Sequence, residues 1–325
     1  MAELGAERSE RGIDLPAYGF LALMILIGST TAPAAKIAVR ELSAGILPLF
    51  RFGLAGLLVL PMVWRGGVLG RIVRECPGRL LLTAALCVPI NQTFFLNGAK
   101  LTLASHIGLI YGSCPLVVLL LAVALGQEKI VPSRLAGVLA SVLGVVVIGL
   151  GNLWQGGAAG PSIFWGDLLT VGAVASWGAY LTVSKPLVAR FGAIPTLAGT
   201  FLLGSALDLP LAAATLYRSE GVDLTTVSAT AWQAAAYLSL VVTVFGLACQ
   251  NQALRRLDAS QVATVGNAAP LLTVVWGIWL FHEPVTFPLV LGGSLTLGGI
   301  LWTSRPRPRA LAMPRLEPVL AGELD

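Results

Sequence analysis

The side chains able to do chemistry in this chain are few, and most stand in apolar surroundings. Asp208, in Leu207-Asp208-Leu209-Pro210, is the one carboxylate placed well inside an apolar run. An acid in such a place is a functional candidate by default, including as a proton carrier. The first half of the chain has Leu60-Pro61 where the second has Leu209-Pro210, with no acid before it. Pairing with an Arg or Lys, or an outward reach to water, therefore accounts for Asp208 equally well. Lys36 and Lys185 suit the capture of a substrate carboxylate near opposite faces of a pathway, or simple extension to their own interfaces. Uncharged polar groups gather as Asn91, Gln92 and Asn97, and again as Gln250, Asn251 and Gln252. Ser105-His106 matches Ser260-Gln261, and Tyr111, Ser113 and Asn267 follow. These groups can hydrogen-bond a small zwitterion or amide, while Phe94, Phe95, Trp177 and Tyr180 offer rings to its apolar part. Each can equally satisfy a neighbouring helix.

Other chemistries find no support. The chain has no His-Glu-x-x-His pair, no Gly-x-Ser-x-Gly elbow, no phosphate-binding loop and no dinucleotide glycine fingerprint. Its two histidines, His106 and His282, lie in different halves without a carboxylate cluster, so neither a metal nor another cofactor is expected. Cys76, Cys87, Cys114 and Cys249 have no metal spacing and read as reduced and inert.

The elements that must carry these residues follow from composition. With 56% hydrophobic and 11% charged residues, against roughly 25% charged in a soluble domain, the chain reads as an all-α integral membrane protein. Apolar runs fall at about 17–37, 44–64, 80–99, 104–125, 134–151, 165–186, 194–217, 231–250, 259–281 and 286–303, each about the length of one span. The first run is read as a span and not a removable leader, because Glu3, Glu7, Glu10 and Asp14 make its approach acidic.

A repeat organises these ten spans. Ala104 to Gly144 returns as Ala259 to Gly299 without a gap, with identities at Ala104/Ala259, Ser105/Ser260, Pro115/Pro270, Glu128/Glu283, Gly137/Gly292 and Gly144/Gly299 among others. Five spans per repeat is an odd number, so the second repeat enters inverted, and such architecture points toward a transporter. The expected organisation is an N-terminal tail 1–16, a first five-helix repeat 17–151, an external linker 152–164, a second five-helix repeat 165–303 and a basic tail 304–325. With both termini cytoplasmic, Arg8, Arg11, Arg65, Arg71, Arg74, Arg79, Lys129, Arg134, Lys185, Arg190, Arg255, Arg256, Arg305, Arg307, Arg309 and Arg315 lie inside. Only Lys36, Arg40, Lys100 and Arg218 lie outside, and Arg51 falls within the second span. The net +5 thus reflects topology and anionic lipid, not nucleic acid.

Three further patterns are structural at first sight. Pro115 and Pro270 each free a carbonyl, that of Tyr111 or Gly266, and read as inward hinges or as packing kinks. Glu128 and Glu283 each follow one apolar helix and precede the next, whose free amides attract an anion. Gly137, Ser141 and Gly144, mirrored by Gly292, Thr296 and Gly299, form stripes that pack each helix on its own repeat or join two protomers.

These residues resemble the drug/metabolite transporter superfamily, in particular its ten-span EamA type. The resemblance lies in Pro115 with Glu128, Pro270 with Glu283, Trp177-Gly178 with Lys185, the degraded Ile27-Gly28 with Lys36, Arg51 early in the second helix, and Thr200 in the seventh. It covers roughly residues 17–303. It implies ten transmembrane helices in two five-helix inverted-topology repeats, and a secondary transporter of the plasma (inner) membrane that moves a small metabolite, an amino acid or related compound, by alternating access, with export as the expected direction. The implied partners are a small-molecule substrate, the lipid bilayer, and a proton or exchanged substrate for coupling, in a monomer or homodimer. An intramembrane or lipid-modifying enzyme is the alternative.

Overall fold

The computed structural model describes residues 15–64, 66–124, 132–154, 160–217, 226–256 and 268–303, and these are helical without a strand among them. In the first half they form α1 (Leu15–Ser29), α2 (Thr31–Ala38), α3 (Leu47–Trp64), α4 (Val68–Glu75), α5 (Pro77–Ala85), a first π-helical segment (Leu86–Ile90), α6 (Asn91–Leu101), α7 (Ala104–Gly112), α8 (Cys114–Ala124) and α9 (Pro132–Trp154). The second half has α10 (Gly160–Phe191), α11 (Ala193–Tyr217), α12 (Ala229–Tyr237), a second π-helical segment (Leu238–Phe245), α13 (Gly246–Arg256), α14 (Ala268–Phe281) and α15 (Phe287–Thr303). Among the described residues six stretches are long and apolar enough to cross a membrane: Leu15–Ala38, Leu47–Trp64, Pro77–Leu101, Ala104–Leu121, Ala193–Tyr217 and Ala229–Gln250. Leu57, Met62, Trp64, Leu143, Val275 and Trp279 stand exposed on the outer surface, as lipid-facing side chains do. The short α4, which no apolar run announces, lies between the second and third of these stretches.

The interruptions have local causes. Between α1 and α2 the hydroxyls of Ser29, Thr30 and Thr31 each donate to the carbonyl three residues back, at 2.7, 2.7 and 2.8 Å, which bends a helix. Pro33 then leaves the Ser29 carbonyl without its helical donor, and Thr273 on α14 supplies one at 3.0 Å. Pro89 lies inside the first π segment, where the missing amide favours a widened turn. The second π segment contains no proline; the Thr243 hydroxyl donates to the Leu238 carbonyl at 2.8 Å. A shift of 155 residues, that of the sequence repeat, carries the first π segment onto the second half of the other.

The principal packing pairs join the two halves: α1 with α13, α3 with α11, α6 with α10, α7 with α14 and α9 with α15. The glycine stripes accordingly serve neither expected use. They face each other, α9 against α15. The Ser141 hydroxyl donates to the Thr296 carbonyl at 2.9 Å, and a Cβ on Gly144 would lie 2.6 Å from the Thr296 nitrogen. Only glycine permits that backbone approach. The largest buried cluster, with Ala35, Leu42, Leu47, Phe95, Ile107, Ala173 and Leu238, again draws on both halves.

Candidate functional site

Two polar groups of residues lie inside this apolar frame. The first gathers around the π segments. Asn91 opens α6 just after the first π segment, and its buried amide donates to the Ala173 carbonyl at 2.7 Å, to Ser176 Oγ at 3.2 Å and toward the Tyr111 hydroxyl at 3.4 Å. Gln92 Nε2 donates to Asn91 Oδ1 at 2.7 Å, while Gln92 Oε1 has no partner among the described residues. Tyr111 stands edge-on to Phe95 at 5.6 Å, and Trp177 lies 4.8 Å from Tyr180. Trp177 also bridges two apolar clusters, one around Phe52, Cys87 and Phe201, the other around Ile110, Cys114 and Val174.

Arg51 completes this centre. Its guanidinium is buried, donates from Nε to Thr243 Oγ1 at 3.2 Å and lies 5.0 Å from the Phe52 ring centroid. It is within electrostatic reach of the Tyr111 hydroxyl and the Cys87 thiol. Among the described residues no carboxylate pairs with it. A planar cation with donors to spare, held against an aromatic ring in a low-dielectric interior, has the chemistry to accept a carboxylate. The sequence signal was available, since Arg51 falls well inside a predicted span, whereas Lys36, Arg134 and Lys185 fall at the ends of theirs.

The second group closes the far end of the same helices. Lys36 Nζ donates to the Thr102 carbonyl, and Thr102 Oγ1 donates to Asp167. His106 Nδ1 faces both Asp167 oxygens at 2.9 and 3.0 Å, with both side chains buried. Glu283 accepts the amides of Ala104 and Ser105 at 2.6 and 2.9 Å. It is turned there by His282, whose φ of 52° ends α14. Five segments, α2, α6, α7, α10 and the α14–α15 connection, are thus tied by charge-assisted bonds. Lys36 neither snorkels nor stands free for a ligand: it is bound inward, 6.0 Å from the Phe281 ring. Glu283 does cap a helix start, but that of α7, in the other half, and not that of the next helix.

The remaining expected residues scatter. Asp208 is wholly buried and has no partner among the described residues, so neither an Arg or Lys pairing nor an outward reach describes it. Gln250 and Lys185 are exposed. Pro115 is exposed and Pro270 half-buried; the helix break in the first falls at Ser113, whose amide and hydroxyl both turn back to the Ile110 carbonyl. The Asn251 side chain, Gln261 and Asn267 lie outside the described residues. The structure therefore unites Asn91, Gln92, Tyr111, Trp177 and Tyr180, places His106 with Lys36, and adds Arg51, Asp167 and Ser176. Among the described residues no group of three His, Cys, Asp or Glu suits a metal.

Comparison with known proteins gives one consistent answer. Residues 15–150 and 164–305 each match the model of the EamA-like transporter family. A protein of Archaeoglobus fulgidus described as an uncharacterized transporter is 27% identical over 286 residues, covering 87% of this chain and 96% of its own. One from Streptantibioticus cattleyicolor, a probable terminal-alkyne amino-acid exporter, is 26% identical over 290 residues, 88% of this chain and 92% of its own. A solved structure 22% identical superposes with a TM-score of 0.58 over 88% of this chain and 95% of that one, a likeness of fold.

Proposed function

The chain belongs to the EamA-like transporter family, and on that premise we propose that it is a secondary active exporter of a small zwitterionic metabolite, an amino acid or related compound. It is a multi-pass membrane protein. In this reading ten spans form two inverted five-helix repeats, residues 17–151 and 165–303, joined by the external linker 152–164. Both tails, 1–16 and 304–325, are cytoplasmic in the plasma membrane. The exchange of packing partners supports a two-fold relation between the repeats. Counting α1–α2 as the first span and α15 as the tenth, the pairs are one with eight, six with three, two with seven, four with nine and five with ten. Swapping the halves returns the same set, as a two-fold relation between the halves requires, and the odd number of spans per repeat sets that axis in the membrane plane.

The observation that carries the substrate class is Arg51, a buried guanidinium without a carboxylate partner among the described residues, beside Asn91, Tyr111 and the Trp177–Tyr180 pair. It supplies the cation for an α-carboxylate, and the rings supply contact for an apolar side chain. Lys36, Thr102, His106, Asp167 and Glu283 form the external latch, closed here, whose release and reformation alternate access. The relative described as a probable terminal-alkyne amino-acid exporter supports the class without fixing the compound.

Counterflow tests this reading. Purified protein in sealed vesicles preloaded with single unlabelled amino acids is offered the labelled compound. Wild type should concentrate at least one, and Arg51→Met should abolish that at equal reconstitution. Turnover of lipid or metabolite that needs no sealed compartment would instead favour an intramembrane enzyme.

A further inference from the structure

Asp208 lies in a seam that its neighbours define. One turn back, a Cβ on Gly204 would lie 2.5 Å from Val88 Cγ2, and one on Gly53 would lie 3.7 Å from Ser205 Oγ. Asp208 on the same face therefore sits between α11, α3 and the first π segment. It is 0% exposed, and both carboxylate oxygens lack a hydrogen-bond partner among the described residues. The charged and titratable groups on the elements packed against α11 are accounted for elsewhere or bond to nothing near it. Arg51 on α3 turns to Thr243 and Phe52, and Asp167 on α10 to Thr102 and His106. Arg190 on α10 pairs with Glu75 on α4. Tyr180 and Lys185 on α10, Cys87 on the π segment, Arg71 and Arg74 on α4, and Arg79 on α5 make no bond to Asp208.

The fold does not need an acid at this place. Gly53 meets Ser205, and Gly56 meets Leu202, where a Cβ would lie 3.0 Å from Leu202 Cδ2. These contacts exchange under a shift of 149 residues, which also sets Leu60-Pro61 on Leu209-Pro210. The same shift sets Val59 on Asp208, and Val59 is buried among Val63, Ala198, Leu60 and Ile194. An aliphatic side chain closes the matching seam. On α11, by contrast, the buried residues include Thr196, Thr200, Ser205 and Asp208. The Thr200 and Ser205 hydroxyls also lack partners among the described residues.

We propose that Asp208 is the proton-carrying group that couples substrate movement to a proton gradient. The proposal rests on the transport reading above. Each cycle forms one carboxyl O–H bond from a proton of one compartment and breaks it toward the other, with no bond to substrate. A proton fits the site better than a metal ion, since a metal needs several converging oxygens and among the described residues no group of three His, Cys, Asp or Glu suits one.

The test uses full-length wild type, Asp208→Asn and Asp208→Val, the last copying the first repeat, each checked for folding by size exclusion. Infrared titration in detergent should show a protonated-carboxyl band in wild type that changes with pH and is missing in both variants. In vesicles offered labelled amino acids, the ratio of accumulation with and without a one-unit pH gradient should reach up to about tenfold for one proton per substrate. In both variants it should fall to near one. An unchanged ratio in the variants, a band set identical to wild type, or a sodium gradient that drives only the wild type would each overturn the proposal. If wild type gives no counterflow of any amino acid, the transport reading fails and the coupling role with it. The infrared band still decides proton binding.

Discussion

Replacing Glu283 should loosen the latch by a calculable amount. Its two oxygens accept the first amides of α7 at 2.6 and 2.9 Å, and the residue is buried. Glu283→Gln keeps the shape but turns one acceptor into an NH2 that faces a donor. One charge-assisted bond is lost and one buried N–H is stranded, together about 3 kcal/mol. The loss of charge at a helix N-terminus adds roughly 0.5 kcal/mol. At about 1.5 °C per kcal/mol for 325 residues, from an unfolding entropy of roughly 2.1 cal/mol/K per residue, the apparent melting temperature should drop by roughly 5 °C. Tryptophan fluorescence in mild detergent, scanned at one fixed rate because unfolding is irreversible, measures this. Glu283→Asp, which keeps the charge but shortens the reach, should fall between. A Glu283→Gln protein melting within about 1 °C of wild type would show that the carboxylate bonds contribute nothing, and the reasoning about the latch would fail with it.

Gly144→Ala should destabilise by about 1–3 kcal/mol, since the new methyl group meets the Thr296 backbone; a melting temperature equal to wild type refutes the α9–α15 contact. Glu41 accepts bonds from the Ser228 hydroxyl at 2.7 Å and the Ser228 amide at 2.6 Å, the hydroxyl first and the amide second holding its carboxyl below the usual 4.5. A carboxyl depressed on folding adds stability that is full above the unfolded value and is lost as pH falls through the folded one, so melting temperature should decline below pH 4.5 more steeply in wild type than in Glu41→Gln. Parallel declines would remove that bond from the account. Reporter fusions after Arg309 and at Gly157 should report opposite sides of the membrane, and agreement between them contradicts five spans per repeat.

Much of this architecture is legible in the residues. The matched Pro115/Pro270 and Glu128/Glu283 spacings disclose the duplication, and the helix at 47–64 lies where the apolar run places it. What escapes the sequence is partnership at a distance. Nothing local joins Asp167 to His106, and Glu283 reads as serving the helix beside it because its true acceptor role is with amides 179 and 178 residues away. The glycine stripes disclose close approach but not the partner, since any helix backbone fits a surface without side chains. Asn91 and Gln92 read as ligand contacts, yet the Asn91 amide is engaged with Ala173 and Ser176. Polarity in a span signals a need for a partner without naming it. The π segment at Leu238–Phe245 lacks even a proline to announce it, because a threonine hydroxyl supports it instead.

Side-specific thiol labelling tests the central claim, a pathway between the halves that opens to one face at a time. Single cysteines at Tyr111, Trp177 and Tyr180, in a protein with Cys76, Cys87, Cys114 and Cys249 replaced, are offered a membrane-impermeant thiol reagent from either face of sealed vesicles. Alternating access predicts labelling from both faces and slowing by whichever amino acid shows counterflow, with Asp167→Asn accelerating labelling from the latched face. Cysteines that stay unlabelled from both faces, or that label from one face alone whatever the latch, would make this polar centre a packing interface and contradict the account.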